Sequence, residues 1–251
     1  MTVAYAKTDP GCVREQNEDV VVVDPQLRFA LVADGVGGRH GGDVAARQAA
    51  TSIHAVLRER EALLRSFPHG PDLSSADVER MVGRALDLAQ SDIHEASRTH
   101  PDWKGMATTV VLALAFEDRF LVAHVGDSRA YLLRGAQVFQ LTADHVRTHG
   151  AEVEADTPAL ERALGARGRV EASLEWIRRQ PGDMIILCSD GLSDTLSTAR
   201  ELTHLRHRFS PQQIPEVLVD LARTRGGPDN IGVAVLADED GDAAPLSELR
   251  Y

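Results

Sequence analysis

Twice in this sequence an apolar run stops at an Asp-Gly pair, in Leu31-Val32-Ala33-Asp34-Gly35 and in Leu187-Cys188-Ser189-Asp190-Gly191. Two more carboxylates stand at the margins of apolar runs, in Val125-Gly126-Asp127-Ser128 and in Pro228-Asp229-Asn230-Ile231. A run such as Ile185-Ile186-Leu187-Cys188 reads as a buried strand, so each aspartate falls where a strand leaves the core. Carboxylates gathered at strand ends repel one another and resist desolvation unless a cation neutralises them. Hard divalent cations take oxygen ligands from such groups, and glycine lets backbone approach an ion closely and offer a carbonyl. A single Asp-Gly turn is ordinary turn chemistry. Four carboxylates so placed point instead to a polyaspartate metal centre.

Composition narrows the classes that such a centre can serve. At 251 residues, 43% apolar and 26% charged, the chain can bury one sizeable core. A net charge of −11 argues against binding through phosphate contacts, which needs a basic face, so no nucleic-acid partner is expected. No stretch approaches the roughly 20 apolar residues of a membrane span, and the N-terminus lacks a signal-peptide core. The expectation is a cytoplasmic, membrane-free protein. Cys12 and Cys188 make neither a disulfide framework nor a zinc spacing, and Cys188 reads as a small buried apolar residue. Lys7 and Lys104 are the only lysines, an arginine bias that hints at a GC-rich, bacterial coding sequence.

Local patterning predicts strands at 20–23, 29–32, 107–116, 119–126, 129–134, 137–141, 183–188 and 231–236. It predicts one helix capped by Asp43, a second from near Ser75, and helical material that includes 211–224. Residues 142–168 are polar and irregular, and 238–251 read as a solvated tail after a single domain over 1–237. Hairpin-like strands with helices in pairs indicate an α+β fold. The strands lack clean polar alternation, which suits two antiparallel sheets packed face to face with helices outside.

The ordered motifs resemble a known family. Arg14-x-x-Asn17-Glu18-Asp19 and Val32-Ala33-Asp34-Gly35-Val36-Gly37-Gly38 resemble the opening of the PP2C-type (PPM) metal-dependent protein serine/threonine phosphatases. The resemblance continues through Thr108-Thr109, Val125-Gly126-Asp127-Ser128-Arg129-Ala130-Tyr131, Leu141-Thr142-Ala143-Asp144-His145, Cys188-Ser189-Asp190-Gly191-Leu192 and Asp229-Asn230-Ile231. It covers residues 9 to about 236 and is nearest the compact bacterial branch.

That resemblance implies a four-layer αββα sandwich of two antiparallel sheets flanked by helix pairs, with two Mn²⁺ or Mg²⁺ ions between the sheets. It implies that Asp34 bridges both ions, that the Gly35 carbonyl serves one, and that Asp190 and Asp229 serve the other. Glu18 would support the centre through water, while Asp19, Ser189 and Asn230 would orient the ligands by hydrogen bonds. Asp127 would share a third, weaker ion with Asp190, and Arg14 would hold the substrate phosphate. The implied reaction is hydrolysis of phosphoserine and phosphothreonine by a metal-activated bridging water. The implied partners are phosphoproteins, among them a Ser/Thr kinase and its targets, met by a monomer.

The chemistry agrees with those roles. Two cations neutralise phosphoryl oxygens and lower the pKa of a bridging water, and an arginine stabilises charge in the transition state. No side-chain nucleophile is needed, so neither cysteine is expected to be catalytic. The chain departs from the family pattern at Val36 and Arg39, where histidines occur in relatives, at Ala107 for glycine, and at Gly232 for threonine. His40 lies next to Arg39 and is a loop histidine, and the segment after His145 is shorter than the flap of many bacterial relatives. Two other classes are a catalytically silent phosphoprotein-binding module and a two-metal nuclease or small-molecule phosphohydrolase. Retention of Asp34, Asp190 and Asp229 weighs against the first, and the acidic composition against a nuclease.

Overall fold

The computed structural model describes residues 1–36, 41–70, 73–147, 160–168, 170–197, 199–206 and 208–238. Strand β1 (Thr2–Asp9) opens the chain, followed by the hairpin of β2 (Asp19–Asp24) and β3 (Phe29–Val36). Helices α1 (Gly42–Arg58), α2 (Glu61–Ser66) and α3 (Ser75–Thr99) come next. Then run β4 (Ala107–Thr108), β5 (Val110–Ala115), β6 (Arg119–Val125), β7 (Arg129–Arg134), β8 (Gln137–Gln140), β9 (Ser173–Arg178) and β10 (Met184–Cys188). Helices α4 (Asp190–Ser193), α5 (Glu201–Arg206) and α6 (Ile214–Thr224) lead into β11 (Ile231–Asp238).

The strands form two antiparallel sheets, in the orders β1-β11-β10-β7-β8 and β2-β3-β5-β6-β9, with β4 joined to β3. Period-two side-chain geometry explains how they stack. On β3, Ala30 and Val32 face the other sheet and pack with Val111, Phe120, Ile185, Leu187 and Leu236. Their neighbours Leu31 and Ala33 face outward, onto α1 and α3 through Ala46, Ile53, Val82 and Ile93. The second sheet likewise turns Ile186, Cys188, Val233 and Val235 toward Leu192, Leu218 and Val219 of α4 and α6. Covering both faces removes any need for polar alternation; all six residues of β5 are buried. The αββα sandwich expected from the sequence is therefore the fold.

Several elements differ from the sequence reading. Strands β1 and β9 carry no strong apolar run and gain their identity from partners, β11 and β6 respectively. Asp43 does not cap α1: Gly41 occupies the cap with no side-chain bond, and Asp43 lies in the first turn. Ser74 does cap α3, in a reciprocal capping box with Asp77. Asp238, expected in the tail, ends β11 opposite Thr2; residues 239–251 lie outside the described residues. Among the described residues no helix is long and apolar enough to cross a membrane.

Candidate metal centre

The two Asp-Gly motifs end adjacent layers, and their glycines are required by close backbone approach. A Cβ on Gly35 would stand 2.2 Å from the Gly42 carbonyl oxygen, where α1 begins. One on Gly191 would stand 1.9 Å from the Asn230 carbonyl oxygen. Asp34 sits opposite Asp19 in the β2–β3 register. Its peptide is clamped by Thr109, whose N–H donates to the Asp34 carbonyl at 2.8 Å and whose Oγ1 accepts from the Asp34 N–H at 3.2 Å. The Gly35 N–H donates to the Glu18 carbonyl at 3.2 Å, tying both acidic segments together.

Hydrogen bonds from the opposite sheet complete the frame. Ser189 Oγ donates to Asp19 Oδ2 at 2.6 Å and accepts the Gly232 N–H at 2.8 Å. Buried Asn230 accepts the Glu18 N–H at 2.8 Å and donates to the Pro10 and Gln16 carbonyls at 3.0 and 2.8 Å. It thereby fastens the loop that presents Arg14. The exposed Arg14 guanidinium donates to Asp229 Oδ2 at 2.7 Å, and the Asn230 N–H donates to Asp229 Oδ1 at 2.8 Å. Asp127 lies on the connection from β6 to β7, which crosses from one sheet to the other.

Electrostatics binds these carboxylates into one group. Burial first, then the charges of Asp19, Asp190 and Asp127, hold the Asp34 carboxyl well above its ordinary range. Asp34 and Asp190 act directly on each other and both lie above the ordinary carboxylate range, so protons and cations compete for the pair. Asp190 is pushed up to about 6 by burial and then by Asp127 and Asp229. Asp19 rises to about 7, chiefly through burial, against the Ser189 hydrogen bond that lowers it. Burial also raises Asp127.

The residues fit a hard divalent cation. All six acids, Glu18, Asp19, Asp34, Asp127, Asp190 and Asp229, are oxygen donors that act on one another in one cluster. Asp19 Oδ1 is buried with no hydrogen-bond partner, a costly state that a neighbouring cation would relieve. Among the described residues no three such side chains already form a closed ligand set. The raised pKa values and the orphaned oxygen, more than any finished cage, carry the fit.

The same shifts give a pH dependence. Asp19 and Asp190 titrate near 7 and 6 when folded against an ordinary 3.8, so the metal-free fold holds extra protons between. Their contribution to stability is full below about pH 4 and is lost as pH rises through 6 to 7. A cation must displace those protons. The rise in Tm produced by Mn²⁺ over EDTA should therefore grow from pH 5 to pH 8. His124 and His145, both lowered by burial, act with the opposite sign but cancel in that difference. A Mn²⁺ shift that is flat or shrinking over this range would refute cation binding by these acids.

Some expectations stand and some sites were missed. Buried Cys188 has its thiol pushed up to about 12 by burial, which makes it inert, and Cys12 is exposed. His40 and the segment 148–159 lie outside the described residues. Asp194 escaped the sequence reading; it is raised by burial, and its charge raises both Asp127 and Asp190. Its spacing four residues after Asp190 is the signal that was there to use. Arg129 grips Asp144 through two nitrogens, at 3.0 and 2.6 Å, and the charges of both act on Asp127.

The chain is similar to known proteins. The family model for protein phosphatase 2C matches residues 14–221. The Listeria innocua serine/threonine phosphatase stp is 31% identical over 247 residues, spanning 93% of this chain and 94% of that protein. The Mycobacterium tuberculosis serine/threonine protein phosphatase PstP is 34% identical over 92% of this chain, which corresponds to 44% of that longer protein. The crystal structure of the PstP catalytic domain with two manganese ions superposes with a TM-score of 0.78 at 30% identity, covering 94% of this chain and 97% of that one. Pseudomonas aeruginosa PppA gives 0.79 at 27% identity, over 94% and 97%. Together with the αββα sandwich and the carboxylate cluster, these matches establish that the chain belongs to the protein phosphatase 2C family of metal-dependent protein serine/threonine phosphatases.

Proposed function

We propose that this protein hydrolyses phosphoserine and phosphothreonine in proteins at a centre of two Mn²⁺ or Mg²⁺ ions. The observation that carries the reading is the buried Asp34–Asp190 pair, each held above its ordinary pKa by burial and by neighbouring carboxylates, beside the orphaned Asp19 Oδ1. Asp34, the Gly35 carbonyl, Asp190 and Asp229 would hold the two ions. Glu18 would act through water, and Asp127 with Asp190 would hold a weaker third ion. Such ions supply a bound water acidified toward neutrality and neutralise the phosphoryl oxygens.

The chain's own groups do the positioning. Asp229 has one oxygen fixed by the Asn230 N–H and the other by Arg14, so its orientation is set by the fold. Asp19, anchored by Ser189, orders the ligands from behind. Arg14 offers an exposed, permanently charged fork beside Asp229, suited to the equatorial oxygens of a phosphate monoester. The catalytic unit is the αββα sandwich, whose last strand β11 runs to Asp238. It acts as a monomer in the cytoplasm on phosphoproteins, including a Ser/Thr kinase and its targets, and not on nucleic acid or membranes.

The deciding experiment is phosphate release from phosphothreonine peptides, abolished by EDTA and restored by Mn²⁺, beside single-stranded DNA under the same conditions. DNA cleavage without peptide dephosphorylation would overturn the substrate class. Arg14→Ala tests the phosphate clamp. A charge-assisted pair contributes about 1.5–3 kcal/mol, so kcat/KM should fall roughly 10- to 150-fold with Mn²⁺ content unchanged. Wild-type kinetics with normal metal content would make Arg14 a surface residue paired only with Asp229.

A further inference from the structure

Among the described residues the buried histidines are His124 and His145, and they stack with ring centroids 4.4 Å apart, 18° from parallel. His124 Nε2 lies 2.9 Å from the Ala143 carbonyl, which can only accept, so that nitrogen carries a proton. His145 is constrained the other way. The Gly126 N–H donates to His145 Nδ1 at 3.2 Å, so Nδ1 must be bare. Its proton then resides on Nε2, 3.0 Å from Ser173 Oγ. Burial first, then His124, lowers His145 to about 4, which keeps the ring neutral at working pH.

The bond to Nδ1 matters because Asp127 is the next residue after Gly126. The His145 N–H also donates to the Gly126 carbonyl, at 3.0 Å, so one residue brackets the peptide groups on both sides of Gly126. Gly126 has φ of +105°, and a Cβ there would stand 2.6 Å from Thr109 Cγ2. Ser128 Oγ and Thr109 Oγ1 are 2.7 Å apart, and the same Thr109 hydroxyl receives the Asp34 N–H. Asp127 is thus suspended between two anchored neighbours, one registered to Asp34 and the other to His145.

We propose that His145 is a positioning residue for the phosphatase reaction: its bare Nδ1 holds the Gly126 N–H and, with Thr109, fixes the crossover that sets Asp127 beside Asp190. This rests on the reading of Asp127 as a ligand of the third ion. A purely space-filling ring would leave the Gly126 N–H without an acceptor, freeing the peptide to turn and carry Asp127 with it. The other nitrogen faces β9, on the edge of the sheet, and has no part in the effect.

The two ring nitrogens can be tested separately. His145→Asn places an amide oxygen where Nδ1 stood, whereas His145→Gln reaches the Nε2 position. With Mn²⁺ and phosphothreonine peptide, H145Q should lower kcat roughly tenfold or more with KM little changed. H145N and Ser173→Ala should each stay within about threefold of wild type. In metal-free ¹⁵N-labelled wild type, NMR should show a scalar coupling across the Gly126 N–H···Nδ1 bond and a proton on Nε2. A proton on Nδ1, equal losses in H145N and H145Q, or an H145Q loss that persists undiminished in an Asp127→Ala background would each overturn the proposal. If D127A lowers turnover while H145Q does not, the role of His145 fails alone. If D127A keeps wild-type turnover and Mn²⁺ binding, the third-ion reading fails and removes the catalytic effect assigned to His145, while the NMR coupling still decides the hydrogen bond.

Discussion

Asp34→Asn should lower kcat on phosphothreonine peptides by about 10²–10³ while leaving the metal-free fold at least as stable as wild type. The two effects have opposite signs for one reason. Asp34 is held well above its ordinary pKa by burial and by the charges of Asp19, Asp190 and Asp127, so without a cation its carboxylate is a net burden on the fold. An amide keeps the shape and removes the ionisable carboxyl from that group. On the proposed assignment, what it cannot supply is an anionic ligand to the ions. Thermal unfolding in EDTA should therefore show an unchanged or raised Tm, whereas the Mn²⁺-induced rise in Tm shrinks and calorimetric Mn²⁺ affinity falls. Full activity of D34N at limiting Mn²⁺ would remove Asp34 from the centre.

Gly191→Ala should be strongly damaging to both stability and activity. Its Cβ would lie 1.9 Å from the Asn230 carbonyl oxygen, and both neighbours are backbone, so no side chain can swing aside. Relief requires α4 to part from the turn before β11. That separates Asp190 from Asp229 and strains the Asn230 bonds that fasten the Arg14 loop. Overpacking of this kind costs about 3 kcal/mol or more, a fall of roughly 6–12 °C in Tm for a chain of this size. Activity should fall even where the variant folds, and added Mn²⁺ should recover little of it. Gly83→Ala is the matched control. It lies inside α3 with nothing within 4 Å of the new Cβ, and it should gain about 0.5–1 kcal/mol. Equal Tm shifts in the two variants would show that the close approach at Gly191 is not what holds this corner together.

What the sequence determined by itself was the set of places where chemistry could be concentrated. Buried strands need apolar runs, and an aspartate at the end of such a run is visible without knowing what the strand pairs with. Asp34, Asp127, Asp190 and Asp229 were legible in this way, as were the central strands and the two long helices α1 and α3. Binary pattern and turn residues are local quantities, and local quantities survive in one dimension. The tertiary structure decided everything that depends on distance across the fold. Strands β1 and β9 exist because β11 and β6 supply their hydrogen bonds. The four strands from β5 to β8 look like one run of hairpins, yet the chain changes sheets at Gly126-Asp127-Ser128. That change of sheet brings Asp127 to Asp190 and hands the Gly126 peptide to His145. Asp194 joined the site unannounced for the same reason. A carboxylate's pKa is set by burial and by charges a few ångströms away, and the residues bearing those charges lie tens to hundreds of positions apart along the chain.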